Sequence, residues 1–298
     1  MKPEDVPRSD PGRDAQTWHP DPSRPSWRVP VGAVDAHCHV FGPQRRFPFS
    51  PTRKYTPQDA GVEALNALHR HMGIERRVIV QASCHGTDNA AMLDALRGQP
   101  NASRGVAVVD PGITDAEIDS MHEAGVRGVR FNFLKRLVDP GPLAPRAELA
   151  ARVAERGWHV VVYFEAADLP ELTSFLEGLP CPVVVDHMGR PDTSQGVDSL
   201  GFTAFRALME NERFWVKVGC PERLSRNGPP YDDVTPFAAT LVADTPDRVL
   251  WGTDWPHPNM ASHLPDDGLL LDQVPIIAPS TEARQKLMVD NPLRLYWS

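Results

Sequence analysis

His37 and His39, in the run Val34-Asp35-Ala36-His37-Cys38-His39, stand one residue apart. On a strand that spacing puts both imidazoles on one face, with Cα atoms about 6.6 Å apart. They could share a metal ion or a polarised substrate oxygen, or they could be an idle pair satisfied at a strand end. Asp254, in Trp251-Gly252-Thr253-Asp254-Trp255-Pro256-His257-Pro258, is a carboxylate that could take a proton from water. Its plainer role would be to orient a neighbouring histidine.

Arg130 is the most telling single residue. In Gly128-Val129-Arg130-Phe131-Asn132-Phe133, strand alternation turns Val129, Phe131 and Phe133 to one face and Arg130 and Asn132 to the other. A guanidinium facing a barrel interior is costly unless paired. Its partner is either a structural carboxylate such as Glu165 or an anionic substrate. Arg136 and Arg223 follow on nearby loops, and guanidinium forks match carboxylates. Three of them favour a substrate with more than one carboxylate. Lys135 and Arg127 read as solvated, and His69 and His71, on a helix, as surface residues. His85 is a weaker signal, and His257, past two loop residues, is either a further ligand or a residue that only lines the rim.

These residues need elements to hold them. β-rich runs at 34–39, 77–83, 105–109, 128–133, 158–164, 182–187, 214–218 and 249–254 alternate with helical patterns. The helices read as 58–72, a stretch from 87, one from the capping box Thr114-Asp115-Ala116-Glu117, then 148–155, 169–179, 202–210, 236–243 and 282–289. Eight strands interleaved with eight helices is the pattern of an α/β (β/α)8 TIM barrel. No GxGxxG follows the first strand, which counts against an open doubly wound sheet. In a barrel the chemistry sits at the C-terminal strand ends. Those ends carry His37 and His39, Ser83 and His85, Arg130 and Asn132, Tyr163 and Glu165, His187, Cys220 with Arg223, and Asp254.

The 298 residues are 41% hydrophobic, enough for one large core. Residues 1–30, polar and rich in proline, read as an extended arm, and 31–298 as a single barrel domain. The net charge of -8 speaks against nucleic acid or an anionic membrane as partner, though not against a small anion. No apolar run approaches a membrane span and no signal peptide opens the chain. Cys38, Cys84, Cys181 and Cys220 show no CxxC spacing, as expected of reduced thiols in the cytoplasm. A monomer is favoured, with the oligomeric state left open.

Asp-Ala-His-Cys-His at the first strand, Asp-His-Met-Gly-Arg-Pro after the sixth and Trp-Gly-Thr-Asp-Trp-Pro-His-Pro at the eighth resemble the amidohydrolase superfamily. Within it, the stretches 47–57, 81–86, 128–139 and 220–225 resemble the 2-pyrone-4,6-dicarboxylate lactonases. The similarity runs from Val29 to Trp297. It implies an amidohydrolase-like barrel that hydrolyses a cyclic ester, the pyrone dicarboxylate, to 4-oxalomesaconate or its tautomer 4-carboxy-2-hydroxymuconate. That step belongs to the protocatechuate 4,5-cleavage route for lignin-derived aromatics. Carried over residue by residue, Asp254 deprotonates water while His37, His39 and His187 stabilise charge on the lactone carbonyl. Arg130, Arg136, Arg223, Tyr55, Ser83 and Tyr163 hold the carboxylates and ring.

His37, His39, His187 and Asp254 are zinc-compatible by type. The lysine, glutamate or histidine that many superfamily members carry at strands four or five is replaced here by Arg130, Asn132 and Tyr163. The lactonase branch implies no metal and no other cofactor. Two rivals remain at this point: a metal-dependent decarboxylase of the same superfamily acting on an aromatic acid, and a dicarboxylate-binding protein without turnover.

Overall fold

The computed structural model describes residues 16–298. Eight parallel strands follow one another in sequence order: β1 (Val34–Cys38), β2 (Arg76–Val80), β3 (Ser103–Ala107), β4 (Val126–Asn132), β5 (His159–Tyr163), β6 (Val183–Val185), β7 (Phe214–Lys217) and β8 (Val249–Leu250). Between them run α1 (Val62–Met72), α2 (Ala90–Gly98), α3 (Asp115–Glu123), α4 (Leu143–Ala154), α5 (Leu169–Glu177), α6 (Leu200–Met209) and α7 (Thr235–Asp244). After β8 come α8 (Asp267–Asp272), α9 (Val274–Ile277), α10 (Thr281–Gln285) and, beyond a π-helical turn, α11 (Asn291–Tyr296). The expected capping box forms, with Thr114 and Glu117 bonding each other's backbone at the start of α3.

The barrel closes through residues just past β8. Ala36 N donates to Trp251 O, Asp254 N to His37 O and His39 N to Trp255 O, at 2.7–2.9 Å. This seam is tight enough to demand glycine. A Cβ on Gly252 would lie 2.4 Å from His37 N, and one on Gly219 would lie 2.3 Å from Gly252 O.

Side chains pack in two layers. The outward faces of the strands meet the helices in one large apolar cluster. A smaller cluster fills the base of the barrel interior, with Val34, Ala36, Val78, Val80, Val106, Val161, Val184, Trp215, Leu250 and Tyr296. Above that plug the inward positions of β4 and β7 become Arg130 and Lys217, both buried.

Along β1, a bulge decides which side chains reach that level. The β1–β2 register slips between Asp35 and Cys38, so that three residues of β1 pass opposite two of β2. Ala36 faces the interior plug and Cys38 the outer core, yet His37 and His39 both point inward. The extra residue re-aims them.

Several expectations need correction. Strands six and eight are shorter than the sequence reads, because Asp186–Gly189 forms a 3-10 turn after β6 and β8 already ends at Leu250. Ser83 lies in a 3-10 turn, Ser83–His85, after β2. His69 is buried, and its Nε2 bonds Asp35 at 3.0 Å. The long loop after β1 is tied back by a Phe41–Ala60 bridge. The described part of the arm lies on the barrel, through Ser23 to Asp266 and Trp27 to Leu271 O. Residues 1–15 of that arm lie outside the described residues.

Candidate active site

The site sits at the C-terminal ends of the strands, and the chain reaches it through unusual backbone. His187, Met188, Cys220, Asp254 and His257 all have φ between 50° and 66°. Left-handed non-glycine residues are disfavoured and persist where surrounding structure holds them. Here they follow β6, β7 and β8, turning His187 and Asp254 inward at the point where each strand would otherwise run on.

Asp254 is the hub. Its Oδ1 lies 3.1 Å from His39 Nε2, 3.4 Å from His37 Nε2 and 3.9 Å from His187 Nε2. Its Oδ2 accepts a hydrogen bond from Arg223 Nε, and Arg223 Nη2 is anchored on Pro258 O at 2.9 Å. Burial pushes the Asp254 carboxyl up, but Arg223 and then His39 together outweigh it and hold it well below the usual carboxylate range. His39 is fixed by donating Nδ1–H to Val80 O at 2.7 Å. Burial, with the Lys217 ammonium second, brings the His37 imidazole down to about 4. Burial and neighbouring His37 likewise hold His187 well below its usual range. Both rings are therefore neutral at pH 7.

Asp35 anchors the two halves of this arrangement. It accepts from the backbone of His37 and of Thr253, both at 3.0 Å, and from Thr253 Oγ1 at 2.7 Å. One buried carboxylate thus ties the first strand's histidines to the segment that carries Asp254.

Beneath the histidines lies a charge network. Asp186 Oδ2 accepts from Arg130 Nε at 2.9 Å, with Arg130 Nη2 at 2.8 Å. Asp186 Oδ1 faces Lys217 Nζ at 3.1 Å. Burial pushes Asp186 up, but Lys217, His37 and Arg130 together outweigh it and hold the carboxyl well below the usual range. Arg130 therefore has a structural partner, and it is Asp186 rather than Glu165. Glu165 instead takes Arg190 at 2.8 Å and Arg136 at 3.5 Å, and Arg190 also donates to the Tyr163 hydroxyl at 3.0 Å.

A cleft of about 370 Å³ opens above these groups, lined by His39, Tyr55, Ser83, Arg130, Arg136, Tyr163, His187, Arg223 and Asp254 among others. His37 lies immediately below. All ten residues singled out from sequence thus come together. A larger cavity of about 1580 Å³ adjoins it and shares Arg223, but it holds none of the three histidines and not Asp254. The chemistry belongs to the smaller cleft.

The amidohydrolase family model matches residues 34–297 of the chain. The chain belongs to the amidohydrolase family. This amidohydrolase is 58% identical over 289 residues to 2-pyrone-4,6-dicarboxylate hydrolase of Comamonas testosteroni, covering 94% of this chain and 95% of that one. It is 39% identical to 4-sulfomuconolactone hydrolase of Rhizobium radiobacter, covering 91% and 92%. Among solved structures, an apo protein of Agrobacterium tumefaciens superposes with a TM-score of 0.83 at 28% identity, covering 92% and 98%. A probable 2-pyrone-4,6-dicarboxylic acid hydrolase of Acinetobacter baumannii, with citric acid bound, superposes at 0.79 and 25% identity, covering 90% and 100%.

His37, His187 and Asp254 bring three ligand atoms within 4.8 Å of one another, a spacing that could hold a metal ion. Charge argues against the fit. The Lys217 ammonium is 2.9 Å from His37 Nδ1, and Arg223 already occupies one oxygen of Asp254. The other buried carboxylate at this level, Asp186, is neutralised by Arg130 and Lys217. A resident divalent cation would stand among three cations, Lys217, Arg223 and Arg130, which already pair the buried carboxylates Asp186 and Asp254.

Sequence reading of this amidohydrolase missed Asp186 and Lys217. Lys217 carries the same signal that exposed Arg130: in Phe214-Trp215-Val216-Lys217-Val218 it alternates away from the outer apolar face. Asp186 is masked by its more conspicuous neighbour His187. The third omission is the buried pairing of His257 with Glu222 at 3.1 Å and Asp267 at 3.2 Å, because Asp267 comes from an element that sequence reading had not placed.

Proposed function

We propose that this amidohydrolase opens the lactone ring of 2-pyrone-4,6-dicarboxylate to 4-oxalomesaconate, without a metal ion. One observation carries the reading: a buried, ionised carboxylate stands among three imidazoles in a cleft rimmed by arginines. The named relatives above, hydrolases of anionic lactones, agree with it.

Water held between Asp254 Oδ1 and the lactone carbonyl would lose a proton to the carboxylate as its oxygen attacks the carbonyl carbon. The oxyanion that develops meets the histidine cluster, where donors fixed in advance in a dry site stabilise charge strongly. Collapse breaks the ring C–O bond, and the proton held by Asp254 passes to the leaving enolate oxygen. Arg130 and Arg136, with Tyr55, Ser83 and Tyr163, hold the ring and its carboxylates. Arg223 has a double position. A substrate carboxylate that draws its guanidinium away from Asp254 makes the base stronger at the moment it is needed.

The test follows the ultraviolet absorbance of the pyrone with purified protein, before and after exhaustive chelation. Loss of the chromophore at equal rates in both is the expected result. Absence of turnover, or turnover abolished by chelator and restored by zinc, would overturn the proposal.

A further inference from the structure

Lys217, at the end of β7, is fully buried, and the hydrolysis just described gives it no part. Its Nζ lies 2.9 Å from His37 Nδ1. An ammonium has donors and no acceptor, so the hydrogen bond runs from Lys217 to His37, and Nδ1 must present its lone pair. In a neutral imidazole the single proton then sits on Nε2. One group could select the opposite tautomer: Asp186 Oδ1, 3.2 Å from the same Nδ1. That oxygen already faces the Lys217 ammonium at 3.1 Å, while the carboxylate's other oxygen is held by Arg130.

The far side of the ring agrees. His37 Nε2 lies 3.4 Å from Asp254 Oδ1 without a hydrogen bond to any described residue. A lone pair there would face a carboxylate, lone pair against lone pair. An N–H there faces favourable charge and keeps a buried donor in reserve, which is costly unless a ligand engages it. The charged and titratable groups around the ring are Lys217 from β7, Asp186 and His187 after β6, Asp254 after β8, and His39 beside it.

We infer that Lys217 is a positioning residue that fixes His37 in its Nε2–H tautomer, so that this imidazole presents a hydrogen-bond donor to the substrate's carbonyl oxygen. The tautomer stands on geometry alone; its use in catalysis rests on the lactonase reading. Removing a single donor of this kind usually lowers kcat by about 10²–10³-fold.

Long-range proton–nitrogen NMR on protein labelled with 15N-histidine reads the tautomer directly, with the His37 signals assigned by their loss in His37→Gln. The wild type should show an unprotonated Nδ1 and a protonated Nε2 at neutral pH. In Lys217→Met, Nδ1 should gain a proton toward Asp186, and kcat on the pyrone should fall about 10²-fold with KM nearly unchanged. Arg130 still pairs Asp186 in that variant. A protonated Nδ1 in the wild type overturns the inference whether or not the variant folds. So does a folded Lys217→Met with wild-type nitrogen shifts, or with altered shifts and unchanged kcat. Should the wild type show the expected tautomer yet leave the pyrone untouched, the lactonase reading has failed and the tautomer assignment has not.

Discussion

Asp254 and the arginines around it carry separable tasks, and substitutions should separate them. Asp254→Asn keeps shape and hydrogen bonding but cannot accept a proton, so hydrolysis should drop by about 10²–10⁴-fold, with KM nearly unchanged. Steady-state kinetics on the pyrone check this; near-wild-type turnover would point to a histidine as the base. Because the Asp254 carboxyl is held well below 3.8 and His37 becomes protonated only near 4, both keep their working states at mildly acidic pH. A pH profile of kcat/KM should therefore show no loss from either residue down to about pH 5. Arg130 and Arg136 differ in kind. Arg130 supports the buried Asp186, so Arg130→Met should lower stability by about 3 kcal/mol, the lower end for breaking a buried pair, as well as catalysis. Arg136 sits half-buried by Glu165, and Arg136→Met should raise KM while changing stability by less than about 1 kcal/mol. Urea unfolding of the two variants tests the contrast, and equal stability losses would refute it.

Among the elements, the seam between β1 and the segment after β8 matters most, since it brings His37 beside Asp254. Three backbone hydrogen bonds and the Asp35 carboxylate hold it, and Gly252 leaves room for it. Gly252→Ala forces a methyl group against the His37 backbone. It should destabilise by about 1–3 kcal/mol, as overpacking does, and should also depress kcat because the pair is pushed apart. Gly201→Ala is the control: it lies in α6 with nothing within 4 Å of the added atom, and should be stabilising by up to about 1 kcal/mol. Thermal unfolding and kinetics of both decide the matter. Wild-type kcat in Gly252→Ala would show that the seam does not set the geometry of the site.

For the molecule as a whole, pH should act on stability through the buried His257. Burial pushes this imidazole down, but Asp267 and Glu222 outweigh it and raise it from 6.5 to about 10. A pKa raised on folding means that the native state binds the proton more tightly. The contribution is full below about pH 6.5, declines above it and is gone past about pH 10. The carboxylates Asp186 and Asp254 run the other way. Their pKa values are depressed, so their contribution is present above the ordinary carboxylate range and lost only in strong acid. Wild-type Tm should thus fall from about pH 7 toward 10, and the difference from His257→Gln should shrink over the same range. A pH-independent difference between the two would mean that His257 is not held as an imidazolium.

Local pattern alone made much of this protein legible. Alternation along each strand exposed Arg130, the interleaving of periods gave the barrel, and the rule that strand ends carry chemistry gathered His39, Ser83, Arg130, Tyr163, His187, Arg223 and Asp254, which do line one cleft. Those inferences need only the chain's own two-residue and 3.6-residue periods. Pairing across the barrel is different, because it joins residues far apart in sequence through register and backbone conformation. No local signal says that Asp186 takes Arg130 and Lys217, that Arg223 lies on Asp254, or that His69 reaches inward to Asp35. The β1 bulge and the left-handed residues after β6, β7 and β8 are equally silent in sequence, since none of those left-handed turns uses glycine at His187, Cys220 or Asp254. They follow the last residues of those strands, where the chain leaves the ladder and turns toward the cleft. Closure of the barrel, a property of the whole sheet, is what sets His37, His39 and His187 within 4 Å of one carboxylate oxygen.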